Sequence, residues 1–261
     1  ADNNPIVKLW HWMNRRVYRD AVAVITLGRH MAARLTRNYP LDKKWLYVIP
    51  PWVDVEQIKP MSYGENPLLK SFNPDGKKVI LYSGNMGLSH EIDSMLEAAK
   101  LLRGRKDLLF LFIGGGEKWQ DAVDFQKDND LTNLQVLPFQ PEERLPYNMS
   151  LADIALVALD DGAEGLMIPS KMFYYMAAGA AVIGICKGEN DVSEIIRHSR
   201  CGVIIDPKNP KKMAEVIGDL AHNIEVLNRF KMCARNSAKE SYSREVCTKS
   251  LRTTLLPLLN Q

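Results

Sequence analysis

Lys77-Lys78-Val79-Ile80-Leu81-Tyr82-Ser83-Gly84-Asn85-Met86-Gly87-Leu88-Ser89-His90-Glu91 is the stretch that decides how this chain folds. An apolar run that stops at spaced glycines and enters a helix is how a parallel α/β domain turns backbone N–H groups toward a phosphate. The helix is legible from its spacing. Ile92, Leu96, Ala99 and Leu102 form one stripe with Met95 beside it, which predicts a helix over Glu91–Leu102. Ser89 is the expected N-cap, and Glu91 and Asp93 suit the first turn. The glycine spacing is Gly-x-x-Gly, not Gly-x-Gly-x-x-Gly, and no Walker lysine follows. A dinucleotide is therefore disfavoured.

Downstream the pattern repeats. Leu108–Ile113 is a fully apolar run that enters Gly114-Gly115-Gly116, and a helix is expected over Lys118–Asn129. Further short apolar runs at Leu134–Leu137, Ile154–Leu159, Ala181–Ile185 and Gly202–Ile205 alternate with helical patterns at Glu142–Met149, Ser170–Ala178, Val192–His198 and Pro210–His222. Two more helices are expected over Ile224–Lys239 and Ser243–Leu259. Short buried strands that alternate with helices of about ten residues predict an α/β fold, a doubly wound parallel sheet. Ligands of such sheets sit beyond the carboxyl ends of the strands. That rule places Gly84–Gly87, Gly114–Gly116, Pro138–Gln140 and Asp160–Lys171 on one rim.

Upstream, Pro5–Asp20 reads as a helix striped by Ile6, Trp10, Met13 and Val17. Packing is the expected role of Trp10 and Trp12, and Trp12, which lies off the stripe, also suits a missing domain or a membrane surface. Ala21–Thr26 and Trp45–Ile49 read as buried strands flanking a helix at His30–Asn38. Residues 60–76, rich in Pro, Gly, Asn and Ser, read as a linker. The start at Ala1-Asp2-Asn3, without methionine, suggests a fragment.

Composition narrows the function classes. The 261 residues are 46% hydrophobic and 25% charged, as expected of a globular protein. A formal charge of +3 with scattered cations argues against a nucleic-acid partner. Cys186, Cys201, Cys233 and Cys247 form no Cys-x-x-Cys pair, so neither a zinc site nor a disulfide framework is expected. A reducing, cytoplasmic setting is the default. No run reaches the roughly 18 apolar residues of a membrane span. No Gly-x-Ser-x-Gly elbow occurs, and Asp160, Asp161 and Glu164 do not by themselves make a hydrolase, because paired carboxylates need a definite separation.

The succession Val48-Ile49-Pro50-Pro51-Trp52-Val53-Asp54, Tyr82-Ser83-Gly84-Asn85-Met86-Gly87, Phe112-Ile113-Gly114-Gly115-Gly116, Ile168-Pro169-Ser170-Lys171 and Tyr175-Met176-Ala177-Ala178-Gly179 resembles the retaining nucleotide-sugar glycosyltransferases of the GT-B fold. The resemblance is to group 1, family 4, and within it to the branch that builds colanic acid and other bacterial exopolysaccharides. It runs from about Ala21 to Ala238. It implies a Rossmann-like carboxyl-terminal domain at 77–239 that binds the donor. A remnant of the acceptor domain at 1–59 and a helix at 240–261 that crosses back toward it are also implied.

The same resemblance implies roles for individual residues. Gly84, Asn85 and Gly87 would approach the donor diphosphate through backbone N–H groups. Lys171 would bring positive charge to it, with His90 beside the loop and Ser170 at the helix start. Phe139 and Gln140 would border the nucleobase. The family's two glutamates correspond here to Leu166 and Tyr174. A tyrosine cannot supply a carboxylate that accepts from two ribose hydroxyls. Glu164 is the nearest substitute for the first of them.

The expected activity is transfer of a sugar from a UDP- or GDP-linked donor to a lipid-linked or saccharide acceptor. No metal and no cofactor besides the donor is implied. Peripheral contact with the inner membrane and self-association are expected, and the isolated chain is expected to bind nucleotide with little turnover. A sugar-nucleotide epimerase on the same scaffold and a catalytically degenerate binding or scaffold subunit are the alternatives.

Overall fold

The computed structural model describes residues 4–258 apart from Pro74 and Ser89, and the side chain of Lys43 is outside the description. The N-cap reading of Ser89, the chain start at Ala1-Asp2-Asn3 and the helix end at Leu259 fall outside the described residues.

The amino-terminal segment holds α1 (Pro5–Asp20), β1 (Val24–Thr26), α2 (Arg29–Asn38) and β2 (Leu46–Val48). Asn4 caps α1, its side-chain oxygen accepting from the Ile6 N–H at 2.9 Å, and Pro5 sits in the first turn where no donor is needed. The helix docks through Asn14 and Tyr18 on Tyr39, with the two tyrosine rings 4.8 Å apart. Its apolar stripe faces outward: Trp10 is 66% exposed, and Ile6, Met13 and Val17 are exposed with it. Trp10, and Trp12 at 54% exposed, thus do not pack as expected. Both strands are shorter than the apolar runs. Ala21 ends α1 by donating to the Val17 carbonyl, and Trp45 lies in a 3-10 turn, so β1 and β2 pair in parallel over only three residues each.

The segment 60–76 is not a bare connection. Asn66 and Pro67 start a short helix, α3 (Pro67–Phe72), and Leu68 enters the core. Asn and Pro punctuate loops, but they are also the residues that open helices.

The remaining chain is β3 (Lys78–Asn85), α4 (Ile92–Leu101), β4 (Leu108–Gly115), α5 (Trp119–Asp128), β5 (Leu134–Pro138), α6 (Leu145–Met149), β6 (Ile154–Ala158), α7 (Lys171–Ala177), β7 (Ala181–Ile185), α8 (Asp191–Ser199), β8 (Gly202–Ile205), α9 (Pro210–His222), α10 (Ile224–Ser241) and α11 (Arg244–Leu255). A 3-10 turn at Glu142–Arg144 precedes α6. The six strands form one parallel sheet in the order β5-β4-β3-β6-β7-β8. The order reverses direction between β3 and β6, which opens a crevice at their carboxyl ends.

Alternation along each strand divides the core in two. Val79, Leu81, Leu109, Leu111 and Val157 pack under Met172, Phe173 and Ala234 on one face. Ile80, Tyr82, Phe110, Phe112 and Leu156 pack under Met95, Leu96, Met213 and Ile217 on the other. With both faces covered, no polar alternation is left in the strands, which is why they read as continuous apolar runs.

Two of the contacts that tie the amino-terminal segment to the sheet domain are made by α8 and by the start of α11. The Asp191 carboxylate accepts from the His30 and Met31 N–H groups at 2.9 and 3.2 Å, capping α2 from α8 where Gly28 has no side chain to do so. The second joins Val53 to the start of α11, the Val53 N–H donating to Tyr242 and its carbonyl accepting from Arg244. Among the described residues no helix is long and apolar enough to cross a membrane.

Candidate donor-binding site

The crevice is walled by the glycines that end β3 and β4. Gly84 pairs with Gly114 and Asn85 with Gly115 in the parallel ladder, so the strands run two residues beyond their apolar stretch. A Cβ on Gly114 would overlap the Gly84 carbonyl oxygen, and one on Gly115 would come within 2.9 Å of the Phe139 ring. Gly116, at φ 118, lies where other residues are strained, and its missing side chain makes room for Asn85 and Met86. The turn is bolted in place. The Met86 N–H donates to Gly115 at 2.7 Å, and Met86 accepts from the Lys118 N–H at 2.9 Å.

The Asn85 carbonyl accepts from the Tyr82 hydroxyl at 2.6 Å and lies 2.7 Å from His90 Nδ1. The shorter His90 contact is a hydrogen bond when Nδ1 carries the proton. In the other tautomer Nδ1 accepts from the Gly87 N–H at 3.2 Å. Gly87 is buried beneath that ring, so the N–H expected to face a diphosphate points into the loop. Gly84, by contrast, lines the crevice.

Lys171 opens α7 and reaches back across β3. Its Nζ lies 3.9 Å above the Tyr82 ring and 3.4 Å from where a Cβ on Gly84 would be. Burial pulls its ammonium down to about 8, and the nearby Asp160 carboxylate works in the opposite direction. Tyr175 fixes the helix, its buried hydroxyl accepting from the Ser83 N–H at 2.7 Å. Burial pushes the phenols of Tyr82 and Tyr175 up, which keeps both neutral.

Gly84, Phe139, Gln140, Ser170, Lys171 and Tyr174 line one cleft of about 230 Å³, joined by Leu145 and Asn148 of α6. Phe139 is 60% exposed and stands as a ring on the cleft wall, held edgewise against Gly115. Asn85 is exposed at the rim. Glu164 does not join them. It sits in the loop between Gly162 and Gly165, both at positive φ, and its carbonyl accepts from the Arg34 guanidinium at 3.0 Å. That loop is pressed against α2, so Glu164 belongs to the contact with the amino-terminal segment. Leu166 is exposed beside it.

The contacts of three residues had no signal in the sequence. Asp160 stands 3.7 Å from His90 Nε2. Tyr82 carries both the Lys171 ammonium and the Asn85 carbonyl. Lys118 donates to the His90 carbonyl at 3.1 Å and pairs with Asp93 at 2.7 Å, tying the start of α4 to the start of α5. Among the described residues no group of His, Cys, Asp and Glu is placed to hold a metal ion. A separate cleft of about 320 Å³ between α2 and α8 contains Asp191 and Glu194, which already bind α2.

The family model for glycosyl transferases group 1 matches residues 68–237. The chain is 24% identical over 245 residues to the probable glycosyltransferase WbjE of Pseudomonas aeruginosa, a match that covers 94% of this chain and 60% of that protein. It is 24% identical over 225 residues to the putative colanic acid biosynthesis glycosyl transferase WcaI of Escherichia coli (strain K12), covering 85% and 54%. Among solved structures, Anabaena Alr3699/HepE in complex with UDP superposes with a TM-score of 0.78 at 15% identity, over 98% of this chain and 69% of that one. Sucrose-phosphate synthase from Thermosynechococcus elongatus gives 0.77 at 15%, over 97% and 62%. The chain thus spans little more than half the length of the curated relatives it matches.

Proposed function

The chain belongs to the glycosyl transferases group 1 family, and on that footing we propose that its cleft binds the nucleotide-sugar donor of a retaining glycosyltransferase of bacterial polysaccharide synthesis. One observation carries this reading: a buried ammonium, a glycine-walled strand end and an exposed aromatic ring share one cleft at the reversal point of the sheet. A nucleoside diphosphate leaves with negative charge, and a fixed cation at that position stabilises its departure. Lys171 supplies the cation, Gly84 lets the diphosphate approach the backbone, and Phe139 gives the base a face to stack on. Ser170, Gln140 and Tyr174 offer hydrogen bonds to the rest of the donor. The base is uracil or guanine, and the donor-binding unit is 77–239. The acceptor is a saccharide or a lipid-linked saccharide.

Calorimetry with UDP, GDP and ADP tests this reading. One of UDP and GDP binds and ADP does not. Phe139→Ala weakens that binding about tenfold, as loss of one aromatic stack requires. Equal binding of all three, or a Phe139→Ala affinity equal to wild type, overturns the reading.

We also propose that the protein works from the cytoplasmic side, peripherally at the inner membrane. In support, α1 exposes Ile6, Leu9, Trp10, Met13 and Val17 along one side, and the same helix carries Lys8, Arg15, Arg16 and Arg19. Co-sedimentation with vesicles containing phosphatidylglycerol is expected, and is lost in Trp10→Glu. A wild-type chain that stays in the supernatant refutes the contact.

A further inference from the structure

Asp160 is the acidic group set against His90 behind the glycine turn of the cleft, and nothing above gives it a task. It follows β6 at the reversal point of the sheet, and its carboxylate is 22% exposed. The Oδ2 atom lies 3.7 Å from Nε2 of His90, whose other ring nitrogen is 2.7 Å from the Asn85 carbonyl. That carbonyl also takes the Tyr82 hydroxyl at 2.6 Å, and the Tyr82 ring carries the Lys171 ammonium. Asp160, His90, Tyr82 and Lys171 therefore enclose the segment Ser83–Gly87 on its buried side.

A carboxylate beside an anion site repels the anion when it acts alone. Its place here is accounted for if it acts through the two bases that flank the segment. We propose that Asp160 is a positioning residue of the donor site, orienting the His90 ring against the Asn85–Gly87 turn and acting as counter-charge to the Lys171 ammonium stacked on Tyr82. The inference rests on the donor-binding reading for its consequence, but not for the geometry. The groups facing Lys171 are Tyr82 from β3, Asp160 from the end of β6 and Tyr175 from its own helix, and the Tyr175 hydroxyl is engaged with Ser83. With both phenols held neutral, the charge that favours the ammonium is that of Asp160.

The test is Asp160→Asn in the full chain, which keeps the shape and removes the charge. Two readouts are taken: the Lys171 side-chain titration by NMR without nucleotide, and UDP and GDP affinity by calorimetry at pH 8 and pH 6.5. The Lys171 midpoint is expected to fall by about one unit. Affinity for whichever nucleotide binds falls about fivefold at pH 8, and most of it returns at pH 6.5, where the ammonium is mostly charged in both proteins. A mere packing defect does not reverse with pH in this way. Asp160→Glu, which retains the charge, stays within about half a unit of the wild-type midpoint, and it carries the test should the asparagine variant fold poorly. An unmoved Lys171 midpoint together with an unchanged or tighter affinity at pH 8 overturns the proposal. If the wild type binds neither nucleotide while Asp160→Asn still moves the Lys171 midpoint, the hold on Lys171 stands and the donor-binding reading falls.

Discussion

Gly114→Ala is expected to destabilise the chain by at least about 3 kcal/mol and to abolish nucleotide binding. The reason is local and steric. Gly114 faces Gly84 across the β3–β4 ladder, and the added methyl group would occupy the position of the Gly84 carbonyl oxygen. A flexible side chain could swing aside, but a strand backbone cannot. Gly114 also pairs with Pro138 on its other side, and Met86 donates to Gly115 at 2.7 Å, so β4 cannot retreat without breaking these contacts too. The strand ends must separate, leaving backbone groups without partners in a dry setting. That movement carries Gly84 away from Lys171 and displaces Phe139, which rests on Gly115. Urea denaturation and calorimetry measure the two effects. Gly104→Ala is the control: it sits in a turn with nothing within 4 Å of the new methyl, and stability within about 0.5 kcal/mol of wild type is expected. A Gly114→Ala protein that matches that control in both measurements refutes the account of the crevice.

How far the sequence anticipates this arrangement depends on which interaction defines each part. The six strands are legible because helices cover both faces of the sheet, so burial appears in the sequence as uninterrupted apolar residues. Ala181–Ile185 and Gly202–Ile205 have the expected bounds. Strands β3 and β4 run longer than their apolar stretches because ladder pairing holds Gly84, Asn85, Gly114 and Gly115, and pairing leaves no mark in a single chain's hydropathy. Helix α3 escapes notice because Asn66 and Pro67 resemble loop residues until the helix they start is seen. The cleft is legible to the extent that every strand of a parallel sheet delivers its loop to the same edge. Lys171, Ser170, Tyr174, Phe139, Gln140 and Gly84 meet there for that reason. Glu164 does not, because its loop is held by Arg34 and His30, a contact between segments far apart in the chain. The Asp160–His90 pair and the stacking of Lys171 on Tyr82 likewise depend on tertiary placement alone.

Lys171→Met is expected to move stability and binding in opposite directions. Burial lowers the Lys171 ammonium from 10.5 to about 8, so the folded state holds this proton less tightly than the unfolded chain does. Below pH 8 both states carry the charge and the folded state bears the full cost of burying it, at most about 3 kcal/mol. Between pH 8 and 10.5 the folded state releases the proton before the unfolded chain does. Stability attributable to this group therefore rises with pH through that window. Methionine has similar length and no charge, so the variant should be more stable at pH 7 by roughly 2 kcal/mol and should lack the rise above pH 8. Nucleotide binding runs the other way. Losing a charge-assisted contact to a diphosphate removes about 1.5–3 kcal/mol, a ten- to hundredfold loss in affinity. In the wild type the affinity should itself decline as pH rises through 8. Calorimetry at pH 8.5 in buffers of different ionisation enthalpy should register proton uptake on binding, since a bound diphosphate draws the ammonium back to its charged form. A burial cost of this size is retained where a cation must be positioned before its anion arrives. Urea midpoints measured from pH 6 to 10, with calorimetry on the same samples, settle both halves. A Lys171→Met chain that is no more stable at pH 7 and still binds UDP or GDP as the wild type does would remove Lys171 from the donor site.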